Sequence, residues 1–85
     1  MFEYDPNKSQ LNQAKHGIDF EEAQLLWNDL RRVEIKAFST TEERFMMIAQ
    51  IQGKCWSAII TYRNQNIRII SVRRSRPKEI EIYES

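Results

Sequence analysis

The sequence predicts an α+β fold in which two N-terminal helices pack on a mainly antiparallel β-sheet. Apolar side chains recur at helical spacing up to residue 30 and alternate every second residue from residue 32 onward. Short polar turns then divide the second part into strands, as expected for hairpins that join antiparallel neighbours. The chain has 85 residues, which suits a single domain, 1–85, with one hydrophobic core.

The two predicted helices have recognisable ends. Asp5 can cap the first helix with Pro6 at its first position, and Gly17 offers the left-handed conformation that often ends a helix. A second helix is predicted from Asp19, because Glu22 three residues later completes a capping-box pattern. Its predicted apolar stripe contains Phe20, Ala23, Trp27 and Leu30.

The strands are predicted from alternation and from their turns. Residues 31–38 alternate between charged and apolar side chains. Two hairpins follow, with predicted two-residue turns at 53–54 and 64–65. This register places one apolar set on the face that we assign to the helices: Phe45, Met47, Ala49, Ile51, Trp56, Ala58, Ile60, Tyr62, Ile67 and Ile69.

On the opposite face the same register brings three guanidinium groups together. Arg44 is predicted to lie across from Arg63, with Arg68 diagonal to it on the next strand. Like charges in such positions destabilise a sheet unless an anion or nearby acids offset them. Two interpretations are therefore open: a phosphate site, or neutralisation by Glu42, Glu43 or other acids in surface ion pairs. The same face is also predicted to carry apolar residues that could contact a partner protein, namely Met46, Ile48, Ile59, Ile70 and Val72.

Positive charge is concentrated near the C-terminus. The segment 66–78 holds five of the thirteen Lys and Arg residues and none of the twelve acids, although the net charge is only +1. The rest of the chain is therefore acidic, with eight cations against twelve acids. A local basic surface on an otherwise acidic protein favours an anionic partner such as a nucleic acid.

Other classes of protein are excluded by composition. No apolar run approaches the roughly 20 residues of a membrane span, so we expect no membrane association. The single cysteine, Cys55, cannot form an internal disulfide, and the first residues lack the features of a secretory signal. These observations predict a cytoplasmic protein.

Several short motifs occur in a fixed order along nearly the whole chain. They are FEYD at 2–5, Lys8, Asn12, KHG at 15–17, FEEA at 20–23, ER at 43–44, TYR at 61–63, IRIISVRRS at 67–75, Glu79 and Tyr83. Together they resemble the BrnT toxin family. Val72 and Ser75 stand where alanines are expected, and Ile80 stands where an arginine is expected after Glu79.

The resemblance implies a ribonuclease toxin of a type II toxin-antitoxin pair, with a fold related to the RelE toxins. It also implies a partner, the ribbon-helix-helix antitoxin BrnA, in a heterotetramer of two toxins and two antitoxins. Such an antitoxin neutralises the toxin, and the complex binds operator DNA through the antitoxin and represses the shared promoter.

The chemistry of RNA cleavage indicates which residues could act. Attack by a 2′-hydroxyl needs a base, cations for the charge that grows on the phosphate, and an acid for the departing oxygen. Arg44, Arg63 and Arg68 are the electrostatic candidates because guanidinium groups match phosphate oxygens. This scheme requires no metal or cofactor, and one His with one Cys gives no metal-ligand spacing.

The general base is left open by the sequence. His16 is the only side chain that ordinarily titrates near neutral pH, but a histidine in the last helical turn also stabilises the helix by its position. We favour this positional role for His16 and keep it among the catalytic candidates. The resemblance also leaves Lys8, Lys15, Tyr83 and Glu79 as candidates for proton transfer. The predicted RNA-binding residues are Lys8, Lys15, Arg73 and Arg74.

Two functions from different classes are consistent with the sequence. One is a metal-independent endoribonuclease toxin that inhibits growth and is blocked by its antitoxin. The other is a non-catalytic module that binds nucleic acid or protein and acts as a co-repressor with its partner. Only the enzyme is expected to cut RNA in the presence of EDTA and to stop growth when it is expressed without its partner.

Overall fold

Five strands form one sheet in the computed structural model, which describes residues 1–85. The strands are β1 (Phe2–Glu3), β2 (Val33–Ala37), β3 (Arg44–Ile51), β4 (Lys54–Arg63) and β5 (Asn66–Arg74). They lie in the order β1-β5-β4-β3-β2, and the β1–β5 pair is parallel whereas the other pairs are antiparallel. The helices are α1 (Pro6–His16), a 3-10 helix (Glu22–Asn28) and α2 (Pro77–Glu84). None of these helices combines the length and hydropathy needed to cross a membrane.

The predicted fold class of two N-terminal helices on a mainly antiparallel, RelE-like sheet is wrong. Only one α-helix precedes the main strands, the sheet is mixed, and α2 follows the sheet. The predicted second helix is a 3-10 helix, whose three residues per turn place Ala23 and Leu26 on one buried face; Phe20, in the turn before it, is also buried. Leu30, which the α-helical period would have buried, is 93% exposed.

The predicted ends of α1 are confirmed. The Asp5 side chain accepts a hydrogen bond of 2.9 Å from the backbone N–H of Asn7, and Pro6 begins the helix. Gly17 ends the helix with a φ of 79°, and its N–H bonds to the carbonyl of Gln13.

Asn12 fixes α1 to the edge of the sheet. This buried amide donates hydrogen bonds of 2.8 Å to the carbonyl of Ile18 and 2.9 Å to that of Val72. Its oxygen accepts a bond of 3.1 Å from the N–H of Val72. Strand β1 is too short to pair with this part of β5, so the Asn12 amide satisfies the edge backbone in place of a neighbouring strand.

The first hairpin turn lies one residue earlier than predicted. Gln52 and Gly53 form it with φ values of 51° and 79°, and Ile51 pairs with Lys54. The resulting β3–β4 register differs from the predicted one by two residues, so every side chain keeps its predicted face. The predicted turn at 64–65 is confirmed, and both of its residues have positive φ.

The pairing of β4 with β5 contains a bulge. Ile69 pairs with Ile60 and Ser71 pairs with Ile59, so Ile70 has no partner on β4. The extra residue reverses the alternation of β5 from this point to its end.

The bulge moves Val72 to the face that packs on the helices, where it is fully buried. Its predicted position on the opposite face is therefore wrong. We call the packed face, which carries Met47, Ala58 and Val72, the inner face. The hydrophobic core between this face and the helical layer consists of Ile18, Phe20, Ala23, Leu26, Met47, Ala49, Ala58, Ile60, Ile69 and Val72.

The other side, which carries Arg44, Ser57 and Thr61, is the outer face, and α2 covers part of it. The Ser57 hydroxyl donates a hydrogen bond of 2.8 Å to Glu79 on α2. Ile48 and Ser57 are buried although they lie on this face. The remainder of the outer face, around Ile35, Met46 and Ile59, is only partly buried.

Replacing Asn12 by alanine should destabilise the fold by about 3 kcal/mol, because three hydrogen bonds are lost and buried backbone groups lose their partners. Chemical denaturation measures this free energy of unfolding. Gln10→Ala, an exposed change on the same helix, is the matched control and should change it by less than about 0.5 kcal/mol. Equal stabilities for the two variants would contradict the role given to Asn12.

Candidate functional site

Two arginines from different strands contact one carboxylate at an end of the outer face. Arg44 begins β3 and Arg63 ends β4. The Nη2 atom of Arg44 lies 3.5 Å from Oε2 of Glu42, and the Nη2 atom of Arg63 lies 3.4 Å from Oε1. The structure therefore brings these two guanidinium groups together, although their residues are not direct partners across the sheet.

Thr61 lies at the centre of this region. It is buried, its hydroxyl donates a hydrogen bond of 2.7 Å to the carbonyl of Glu43, and it pairs with Arg68 of β5. Paired residues share a face, so Arg68 lies on the outer face beside Thr61. We call Arg44, Arg63 and Arg68 the arginine cluster.

The contacts between the arginine cluster and the acids that neutralise it are long. Arg68 contacts Oε1 of Glu3 at 3.2 Å, and the two contacts to Glu42 are longer still. Charge-assisted hydrogen bonds usually measure about 2.7–2.9 Å. The Nε atom of Arg44 is shielded from solvent and has no hydrogen-bond partner. The cluster thus retains donors that its acids satisfy poorly.

Three further predicted residues line one groove beside the edge of β5. Lys8, Lys15 and His16 of α1 enclose a groove of about 190 Å³ with Ile70 and Ser71. Both lysines are exposed, and they lie two helical turns apart on the same side of α1. Since Ser71 lies on the outer face between Arg68 and Arg73, the groove borders that face.

Arg73 and Glu79 form a tight structural pair. Arg73 donates two hydrogen bonds, of 2.8 and 2.7 Å, to the two oxygens of Glu79. Glu79 also accepts bonds from the Ser57 hydroxyl and the Arg76 N–H. The Arg73 guanidinium lowers the pKa of Glu79 to about 2 and is itself held charged, because its own pKa is raised by the same bonds. These contacts attach the start of α2 to the sheet.

Arg74 is also engaged within the protein. Its guanidinium carbon lies 5.4 Å from the ring centroid of Trp56, a cation–π geometry. Its Nε atom donates a hydrogen bond of 3.3 Å to the carbonyl of Cys55. It lies six residues along β5 from Arg68, a distance of about 20 Å in an extended strand.

Tyr83 is not brought to the arginine cluster. Its hydroxyl donates a hydrogen bond of 2.6 Å to Oδ2 of Asp29, which raises the pKa of Tyr83 to about 12. The same oxygen accepts a bond from the N–H of Gln50, six residues along β3 from Arg44 and so about 20 Å away. In this position Tyr83 attaches the end of α2 to the sheet.

The sequence prediction missed Phe38, whose side chain is 91% exposed. It follows Ala37, the direct partner of Arg44, so it emerges at the same end of the sheet as the cluster. The sequence contained a sign of this exposure: in the alternating segment 31–38, Phe38 falls on the same side as the charged residues Arg32, Glu34 and Lys36. A large apolar residue on a solvated side is a candidate for contact with a ligand or partner.

No group of three or more His, Cys, Asp and Glu side chains in the chain is arranged to hold a metal ion. The charged side chains that lie together at this site are instead arginines and lysines. Three guanidinium groups beside two exposed lysines define a surface that suits a polyanion.

The chain belongs to the BrnT family, described as the ribonuclease toxin of type II toxin-antitoxin systems, whose family model matches residues 4–79. The match includes the arginine cluster, the α1 groove and Glu79. It confirms the predicted family and, with it, a toxin that acts on RNA and has an antitoxin partner. No curated protein matches the chain.

The Arg73–Glu79 pair predicts a specific loss of stability in acid. The ordinary pKa of 4.5 falls to about 2 on folding, so the pair stabilises the protein above the ordinary value. This contribution, about 3 kcal/mol, should be lost as the pH falls from about 5 to about 2.

Unfolding measured across that pH range should therefore show a steeper loss for the parent protein than for Glu79→Gln. Glu81→Gln, which removes an exposed carboxylate from the same helix, should follow the parent. Parallel curves for the parent and Glu79→Gln would contradict the lowered pKa.

Proposed function

We propose that the protein is a metal-independent endoribonuclease that binds the scissile phosphate of RNA at the arginine cluster. The observation that carries this proposal is the convergence of Arg44 and Arg63 on the two oxygens of one carboxylate. A phosphate has the same charge sign and similarly spaced oxygens, so it can accept the same donors. Arg68, beside Thr61, supplies a third cation.

In this proposal the cluster stabilises the transition state of attack by the neighbouring 2′-hydroxyl. Negative charge grows on the non-bridging phosphate oxygens as the new bond forms, and the guanidinium groups already face that position. The Nη2 atom of Arg44, which faces Glu42, is a donor for these oxygens. Water and the arginines suffice to stabilise the charges, so the reaction needs no metal ion.

The RNA chain extends from the cluster along the outer face in our proposal. Exposed Lys8 and Lys15 bind backbone phosphates in the α1 groove, next to Ser71 on β5. Phe38, just past the end of β2 and on its other side, offers an exposed ring on which a base beyond the cluster can stack. We assign His16, in the last turn of α1, mainly to stabilisation of the helix end and of the groove wall.

The partner is proposed to be a BrnA-like ribbon-helix-helix antitoxin in a complex of two toxins and two antitoxins. The open part of the outer face supports such contact, since Ile35, Met46 and Ile59 lie between basic residues. A bound antitoxin there would cover the cluster and prevent RNA from reaching it. The complex would bind operator DNA through the antitoxin, and the free toxin would cut RNA in the cytoplasm and inhibit growth.

One observation favours the second function, a non-catalytic co-repressor. Glu42 and Glu3 already neutralise the arginine cluster, as they would in a surface that has only a structural role. Such a protein would bind its antitoxin through the outer face without cutting RNA. Cleavage in the presence of EDTA distinguishes the two functions.

Replacing Arg63 by alanine should lower the rate of RNA cleavage in EDTA by at least about 100-fold, because a donor to the transition state is lost. The melting temperature should change little, since the exposed pair with Glu42 contributes at most about 1 kcal/mol. Arg63→Lys should restore little activity because an ammonium lacks the forked donors. The control is Arg31→Ala, an exposed arginine remote from the cluster. Cleavage by Arg63→Ala at the parental rate would reject the phosphate site.

Removing both groove lysines, Lys8→Ala with Lys15→Ala, should weaken RNA binding and make it less dependent on salt. Two lost phosphate contacts should reduce the slope of log affinity against log salt by about 1.4 for a single strand. Binding of a 2′-O-methyl RNA at several salt concentrations measures this slope. Replacing Lys54 and Lys78, which are exposed elsewhere, is the matched control. Equal slopes for the two double variants would remove the groove from the RNA path.

A further inference from the structure

Glu42 is the carboxylate that contacts two of the arginines that would hold the phosphate, whereas Glu3 contacts Arg68 alone. Its two oxygens contact Arg44 and Arg63 separately, and its side chain is 32% exposed. A phosphate bound by the same guanidinium groups would therefore lie directly beside this carboxylate. The 2′-hydroxyl that attacks the phosphate would be close to it as well.

The backbone around Glu42 is held in place. The buried Thr61 hydroxyl bonds to the carbonyl of the next residue, Glu43, and attaches this loop to β4. The Glu43 carboxylate is directed elsewhere, since it lies 2.9 Å from Nζ of Lys36. Of these two adjacent acids, only Glu42 contacts the arginine cluster.

Two other candidates for the base have different partners. Glu79 is bound by Arg73, Ser57 and the Arg76 N–H, so both of its oxygens are occupied at the start of α2. The Tyr83 hydroxyl donates its hydrogen bond to Asp29. Neither group is directed at the arginine cluster.

We propose that Glu42 is the general base of RNA cleavage, an assignment that rests on the proposed function. The Glu42 carboxylate takes the proton of the 2′-hydroxyl as the 2′-oxygen forms a bond to phosphorus. The bond from phosphorus to the 5′-oxygen breaks, and the departing oxygen takes a proton from water. The resulting hydroxide takes the proton from Glu42, which restores the carboxylate. The products are a 2′,3′-cyclic phosphate and a 5′-hydroxyl.

The loose contacts of Glu42 suit this role. At 3.4 and 3.5 Å they are much longer than the 2.7 and 2.8 Å bonds of the Arg73–Glu79 pair. A phosphate can therefore replace the carboxylate as the partner of both guanidinium groups at little cost. The carboxylate then stays beside the phosphate and is free to accept the proton.

The test is Glu42→Gln, which keeps the size of the side chain but cannot accept the proton. Its single-turnover cleavage rate should fall by about 10²–10⁴-fold. Its affinity for a 2′-O-methyl RNA, which has no proton to remove, should stay equal or increase because a negative charge beside the phosphate is lost. Glu43→Gln is the matched control and should cleave at nearly the parental rate. Melting temperatures identify any variant that is unfolded.

Cleavage by Glu42→Gln at the parental rate or faster would overturn the assignment and leave Glu42 as a neutralising charge only. Loss of cleavage together with an equal loss of affinity would also overturn it, because the role would then be in binding. If Glu42→Gln does not fold, Glu42→Asp provides the test: it keeps a carboxylate at shorter reach and should lose rate but not affinity. Parental cleavage by Arg63→Ala would instead reject the proposed function itself.

Discussion

The bulge at Ile70 is the constraint on which the arrangement of this protein depends. It reverses the alternation of β5, so Val72 enters the core and Arg73 turns to the outer face. Without it, Arg73 would be directed at the core and could not reach Glu79 at the start of α2. The amide of Asn12 bonds both backbone groups of Val72 just beyond the bulge and so stabilises the reversed segment. One extra residue thus decides the packing of α1 and of α2.

The bulge also separates two kinds of basic residue on the outer face. Arg73, beyond the bulge, donates hydrogen bonds from both Nη atoms to Glu79, and this pair attaches a helix to the sheet. Arg68, before the bulge, lies in the cluster whose contacts with acids are long and incompletely satisfied. Stability and activity therefore depend on different arginines of one strand. A short ion pair holds the fold, whereas a loose one can exchange its carboxylate for a phosphate.

Part of this structure could be predicted from local patterns in the sequence. The cap at Asp5, the stop at Gly17 and the faces of β3 and β4 follow from side-chain chemistry and from a period of two, and all were predicted correctly. The bulge and the 3-10 helix depend on tertiary packing, which overrides the period expected from the sequence. Helix α2 begins at Pro77 and has Arg76, an unusual N-cap residue, before it, so only Pro77 and Glu79 indicated its start in the sequence. The sequence named Glu42 among the acids that could neutralise the cluster, although the predicted β3–β4 register was off by two residues. The contact of Glu42 with both Arg44 and Arg63 became visible only in the structure.

In the proposed reaction a 2′-hydroxyl attacks a phosphate held by the arginine cluster. The chemical ends of RNA cut by the purified protein in EDTA distinguish this reaction from attack by water. We expect a 2′,3′-cyclic phosphate on one fragment and a 5′-hydroxyl on the other, with no cut at a position where a single 2′-deoxynucleotide replaces the ribonucleotide. Fragments with a 3′-hydroxyl and a 5′-phosphate, or a cut that persists at the deoxy position, would show that water is the nucleophile and would contradict the account.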